Sequence, residues 1–359
     1  MQKDLHHAGT YVLCRIAGMK SKYAKIVAYA AQQVDDATHG HALKFENGGL
    51  FKQTMTAHKA LSPLNLDVSD ALEVWIPFHF LPRGKSMKNP DGLITGPDSK
   101  VLKLLLEDIE KSSHSPLALY RLGIGLHCYA DTFTHQDFKG FCDKHNDITL
   151  VSAVDKRGIW ESLKMFFINN FTNFVPIGHV QALANPDIPN AIWSYCREDG
   201  VIIEVNNLRE RFIPALESMY CFLYYYLQRN TQFKANVALK SFRFYSERLI
   251  EVLKFEGNVE ERHKNWLDKI HQNYFEFEDF DEIDKTLSYD PREWFREAVE
   301  AVKVKNLLKK LEYRAYNYYL FRKKENFYNS NWVRFMRAAA EHKFVVVNDI
   351  LPKCGVNVG

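Results

Sequence analysis

The sequence predicts a mainly α-helical protein, a multi-helix bundle. Apolar residues recur at helical spacing along most of the 359 residues, period-2 alternation is nearly absent, and capping residues stand where the periodic runs begin. With 46% hydrophobic and 25% charged residues, the composition is that of a globular protein and excludes a disordered or collagen-like one. A chain this long removes about three quarters of its unfolded surface from water, which makes a core available without disulfide staples.

The first long helix is expected from about Ala8 to Gln33. The Asp98/Ser99 cap before SKVLKLLLEDIEK announces a second, and Ser115 followed by Pro116 opens a third, LALYRLGIGLHCYADTFTHQDF. Helical stretches are then expected at about 206–228, 233–254, 258–273, 291–324 and 329–343. The Pro- and Gly-containing segments 81–97 and 175–189 read as ordered loops, and the acidic EFEDFDEID at 276–284 as a solvated turn. This divides the chain into a helical core carrying the chemistry, 1–190, and a helical C-terminal region, 191–359, which either stands alone or completes the same domain.

Lys plus Arg numbers 47 against 44 for Asp plus Glu, so bulk charge does not mark a polyanion binder. The 6 cysteines are scattered without a C-x-x-C pair, the pattern of free thiols in a reducing compartment. The N-terminal stretch has no signal-peptide character, so a cytoplasmic location is expected. FIPALESMYCFLYYYLQ, from Phe212, carries Glu217 and is too short to span a bilayer, so no transmembrane segment is expected. One segment, 303–324, interleaves basic and aromatic residues. That composition suits peripheral contact with an anionic membrane or with nucleic acid, as well as a helix with one solvated basic face.

The chemistry-bearing residues concentrate early: of 14 histidines, 11 lie at or before His179. His127, Asp131 and His135 follow i, i+4, i+8 spacing, which on a helix forms one slowly rotating stripe about 12 Å long. Imidazole nitrogen mixed with carboxylate oxygen is what zinc accepts in sites that keep a position open for water. Gly123, Gly125 and Ala130 let neighbouring helices come close to that stripe. His79, between Pro77, Phe78, Phe80 and Pro82, has an apolar setting that disfavours the charged imidazole and leaves a neutral donor. His179 lies on a loop before the PDIP turn. Asp35 and Asp36 end a helix, where the dipole disfavours carboxylates and a cation would compensate.

LGIGLHCYADTFTHQDF resembles the central signature of the zinc-dependent phospholipase C and P1-type nuclease superfamily. Its H-x-x-A-D-x-x-x-H form is most similar to the branch containing the catalytic domain of glycosylphosphatidylinositol phospholipase D. The wider arrangement over about residues 1–190 (DLHH, V-D-D, IPFHFLP, then GH with PDIP) resembles an uncharacterised bacterial branch. The resemblance implies a phospholipase C/P1 nuclease-like bundle, here with additional C-terminal helices, that holds one to three ions of zinc or another transition metal. By the same match His6, Asp35 or Asp36, His79, His127, Asp131, His135 and His179 are metal ligands. Asp131 is the bridge, and Asp36, preferred over Asp35, is the carboxylate beside the reactive water. The implied activity is hydrolysis of a phosphodiester such as a phospholipid or nucleotide. The sequence alone also accommodates a non-catalytic helical binding or scaffold protein retaining a structural metal site. Where those enzymes carry a late glutamate this chain has Leu183, with Asp187 the nearby substitute, and where they expose an N-terminal tryptophan it begins at Met1.

Overall fold

The computed structural model describes residues 1–58, 70–152, 182–302 and 320–356. The expected first helix is interrupted. A π-helical turn, Asp4–Gly9, runs into α1 (Thr10–Ile16), and the chain turns before α2 (Ser21–Asp36). Gly18 makes the break: its φ is +95°, and a Cβ there would lie 2.7 Å from the Leu239 side chain. Strands β1 (Ala42–Phe45) and β2 (Leu50–Lys52) follow as an antiparallel pair. A π-helical turn, Ala71–Trp75, leads into the short α3 (Ile76–Phe78), which delivers the chain to His79.

Helix α4 (Lys100–Lys111) starts where its cap predicts, with Ser99 Oγ accepting the Leu102 N–H. Helix α5 (Ala118–Thr134) begins later than the Ser115 cap, because that hydroxyl serves the preceding turn by accepting the Leu117 N–H. Strands β3 (Thr149–Ser152), β4 (Ile192–Cys196) and β5 (Ile202–Asn206) form an antiparallel three-stranded sheet. A π-helical turn, Leu208–Phe212, then opens α6 (Ile213–Arg229). After it come α7 (Phe242–Leu253), α8 (Val259–His271), α9 (Glu282–Lys285) and α10 (Glu293–Ala298). Strands β6 (Val299–Ala301) and β7 (Leu320–Lys323) join the first pair in a four-stranded sheet of order β2-β1-β7-β6, with β1 and β7 parallel. Helix α11 (Asn331–Val345) continues through a π-helical turn, Val346–Ile350, into α12 (Leu351–Lys353).

The mainly α expectation is therefore corrected: helices predominate, but two sheets make the fold mixed α/β. The strands span only three to five residues, too few for period 2 to register against helical surroundings. The helix expected over 291–324 ends at Ala298, where Val299 turns extended, and residues 320–323 are strand. The rest of the basic and aromatic segment, 303–319, lies outside the described residues, as do His179 and 175–181 of the expected loop. The acidic turn is not solvated throughout, since Asp284 is fully buried. No helix among the described residues is long and apolar enough to cross a membrane.

One hydrophobic core runs from Met1 to Val356 and draws on both halves of the chain. A smaller one, containing Phe80, Phe138, Trp193 and Tyr195, lies against the three-stranded sheet. The crossing of α2 and α5 positions the site. At Gly123 a Cβ would lie 2.5 Å from the Val27 carbonyl oxygen, so the two helices approach backbone to backbone.

Candidate metal centre

Helix α5 carries His127 and Asp131 inward, both fully buried, and ends on His135. Asp131 is the hub. Its Oδ1 lies 2.5 Å from the Met1 α-amine and 3.1 Å from His6 Nε2. Its Oδ2 lies 3.2 Å from His127 Nε2, 3.3 Å from His79 Nδ1 and 3.7 Å from His135 Nδ1. Burial opposes ionisation of this carboxyl, but the ammonium of Met1 and the imidazoles of His135, His127 and His6 outweigh it and hold the pKa well below the usual carboxylate range.

Backbone carbonyls fix the protons of three imidazoles. His127 Nδ1–H donates to Ala31 O at 2.9 Å, His79 Nε2–H to Thr56 O at 2.8 Å, and His135 Nδ1–H to His79 O at 2.8 Å. The other nitrogens of His127 and His79 then face inward, 3.2 Å apart and both towards Asp131 Oδ2, to which His79 Nδ1–H donates at 3.3 Å. Burial first, then the neighbouring His6, lowers the His127 pKa to about 4, so its inward nitrogen is bare at neutral pH. His79 differs: burial lowers its pKa, yet the hydrogen bond to Asp131 and the charge of Asp35 raise it on balance. His6 stacks on His127 with centroids 3.8 Å apart, and neither of its ring nitrogens makes a hydrogen bond among the described residues.

Asp35 stands at the rim, its side chain 32% exposed, with Oδ1 3.8 Å from His79 Nδ1 and 3.9 Å from His127 Nε2. Asp36 is the correction: its carboxylate accepts from Tyr289 OH and from Gln32 Nε2, away from the cluster. Adjacent helical positions differ by about 100° in direction, so only one of the two can face the imidazoles. His6, Asp35, His79, His127, Asp131 and His135 are thus brought together, Asp36 is not, and His179 lies outside the described residues. Two participants come in addition. Asp187 Oδ1 lies 3.0 Å from the Met1 amine and 3.5 Å from His135 Nε2. Its position after the missing late glutamate was the signal for it. The Met1 amine also donates to Thr134 Oγ1 at 3.1 Å. Burial would lower its pKa, but Asp131 and Asp187 together raise it to about 11. The carbonyls of Ala31, Thr56 and His79 leave no trace in the sequence.

The donor set fits a transition metal. Two overlapping groups, His6 with His127 and Asp131, and Asp35 with His79 and His127, each place their ligand atoms within 4.8 Å of one another. Two donors on one tetrahedral zinc stand about 3.3 Å apart, close to the 3.2 Å between His127 Nε2 and His79 Nδ1. A carbonyl bonded to the far nitrogen is the usual support of a metal-binding histidine.

A mixed α/β protein with a buried His/Asp centre on paired helices is the class that fold and site define. The chain matches the family of unknown function DUF6765 over residues 1–350 and belongs to that family. No curated protein and no solved structure matches it.

Proposed function

We propose that this chain is a metal-dependent hydrolase of phosphodiesters that holds one to three zinc ions. The observation that carries this reading is the convergence of carbonyl-anchored imidazoles on the buried Asp131. Its resemblance to the phospholipase C and P1-type nucleases supports the choice of zinc and of a phospholipid or nucleotide substrate. Bound zinc supplies a water whose pKa falls from 15.7 to about 7 and a Lewis acid for phosphoryl oxygen. The protein's own part is to hold the donors. The carbonyls of Ala31, Thr56 and His79 set the tautomers, and Asp131 supplies a negative charge that burial keeps from being screened. Asp35, at the rim and hydrogen-bonded to neither imidazole, is placed to orient a water and accept its proton.

A second reading, a binding or scaffold protein with a structural metal, draws on the near-complete burial of every imidazole in the centre. The free cysteines favour a reducing, cytoplasmic setting under either reading. Peripheral contact of 303–324 with an anionic membrane or nucleic acid belongs with the hydrolase reading, on composition. Metal analysis after zinc loading tests the first step, with at least about one equivalent expected. Assay against phospholipids, single-stranded nucleic acid and a chromogenic phosphodiester tests the second. Turnover that survives Asp131→Asn, or its absence from the zinc-loaded protein, refutes the hydrolase.

A further inference from the structure

Four arginines are buried among the described residues, Arg15, Arg121, Arg211 and Arg262. Three have carboxylates in contact. Arg15 meets Asp279 at 2.8 Å and Asp284 at 2.9 Å, Arg121 meets Asp108 and Glu341, and Arg262 meets Asp4 at 2.7 Å. Arg211 is 1% exposed and has none among the described residues. Its hydrogen bond runs from Nη1 to Thr134 O, and its buried Nε has no partner among the described residues. Burial lowers its pKa, and Tyr195, Asp137, Asp187 and Glu210 offset this only through space. A guanidinium stays charged even so, and an interior charge without a counter-ion is costly.

Its location gives the cost a meaning. Thr134 precedes His135, and its hydroxyl accepts from the Met1 amine that bonds Asp131. The guanidinium is therefore one residue away from the centre. It is held there over the Trp193 ring, 5.5 Å to the centroid, and that indole is itself fixed by donating to Asn207 Oδ1 at 3.0 Å. A cation beside a centre that gathers divalent cations is stabilised in the loaded state by an anion bound between them, beyond the distant charges of Asp137 and Asp187. The planar fork of a guanidinium matches phosphate oxygens.

We propose that Arg211 is the substrate-binding residue that takes a non-bridging oxygen of a phosphodiester at the metal centre. This rests on the hydrolase reading and names how that site holds its anion. The test uses zinc-loaded wild type, R211M and R211K, titrated calorimetrically with inorganic phosphate while bound metal is counted in the same samples. R211M is expected to raise the phosphate Kd about tenfold or more with metal content unchanged, and R211K, which keeps the charge without the fork, about threefold. On a chromogenic phosphodiester KM should rise in the same order, with kcat moving less.

An unchanged phosphate Kd in R211M overturns the assignment. So does loss of metal along with phosphate, which would make Arg211 a support for the end of α5. If R211M does not fold, R211K decides, and an unchanged Kd there overturns it equally. A zinc-loaded wild type that binds no phosphate removes Arg211 and leaves the metal centre standing. A wild type that takes up no metal removes both.

Discussion

Asp131 and Asp284 are both fully buried carboxylates on helices, and both are ringed by polar groups at close range. Asp284 accepts from Arg15 Nε at 2.9 Å, Arg15 Nη2 at 3.1 Å, Tyr11 OH at 2.7 Å and the Asp281 N–H at 2.9 Å. Every one of those groups carries its proton at neutral pH, since burial beside Asp284 pushes the Tyr11 hydroxyl further up and the carboxylates of Asp279 and Asp284 keep Arg15 charged. That site is closed. Around Asp131, His127, His79 and His135 each direct one ring N–H to a backbone carbonyl, His127 presents a bare nitrogen, and the Met1 ammonium donates to the carboxylate. A buried carboxylate surrounded by fixed donors fastens the fold, whereas one surrounded by imidazoles has the ligand types that a metal accepts.

The largest expected effect breaks the closed site. Arg15→Met leaves Asp284 buried without its guanidinium, which should cost about 3–5 kcal/mol in urea unfolding, while zinc uptake per folded molecule stays at the wild-type level. A fall in zinc stoichiometry would show that the two sites are not independent. Next comes the open site. With free zinc at a thousand times its Kd, the loaded protein should exceed the chelated one by about 4 kcal/mol. Asp131→Asn should abolish that difference, and Arg15→Met should retain it. The comparison fails if zinc stabilises Asp131→Asn as strongly as the wild type.

Acid separates the regions further. Burial, aided by nearby cationic charge, holds His263 at about 4 and His342 at about 3, against 6.5 when unfolded. The folded chain thus binds fewer protons than the unfolded chain below pH 6.5. The stability contribution is complete above about pH 6.5 and is lost as pH falls towards 4, with a loss of about 1–3 kcal/mol per residue. His342 donates to Pro77 O at 2.8 Å behind the segment that ends in His79, so the loss falls on the open site's side of the molecule. His342→Gln in chelated protein should flatten the pH dependence of urea stability over that window. Tyr11 and Arg15 do not titrate in that range.

What was legible in the sequence follows from how locally each feature is encoded. His127, Asp131 and His135 were readable because helical spacing alone puts them on one face. His79 was readable because flanking prolines and phenylalanines announce an apolar setting. Helix α4 was readable from its serine cap. The strands were not, because β1 finds β7 near the other end of the chain, and neither is long enough to show alternation. The Gly18 break depends on Leu239 lying against it, a contact that no local pattern contains. The Asp284 anchor was invisible within an acidic run for the same reason, since its meaning lies in Arg15.

The smallest effect concerns a choice that the sequence could not make. Asp36 and Asp35 are chemically alike and adjacent, but Asp36 accepts from Tyr289 and Gln32 while Asp35 faces the imidazoles. Burial, the largest cause, and the neighbouring Asp35 raise the Asp36 pKa, so its charge is already disfavoured and removing it relieves a strain. Asp36→Asn keeps an oxygen to accept from Tyr289 and should change stability by less than about 1 kcal/mol. Zinc content and kcat should stay within about twofold of wild type, whereas Asp35→Asn should lower kcat by about a hundredfold if Asp35 accepts the proton of the attacking water. Equal losses in the two variants, measured by metal analysis and single-turnover assay, would mean that the open site extends through Tyr289 to the buried His7 and His263 behind it.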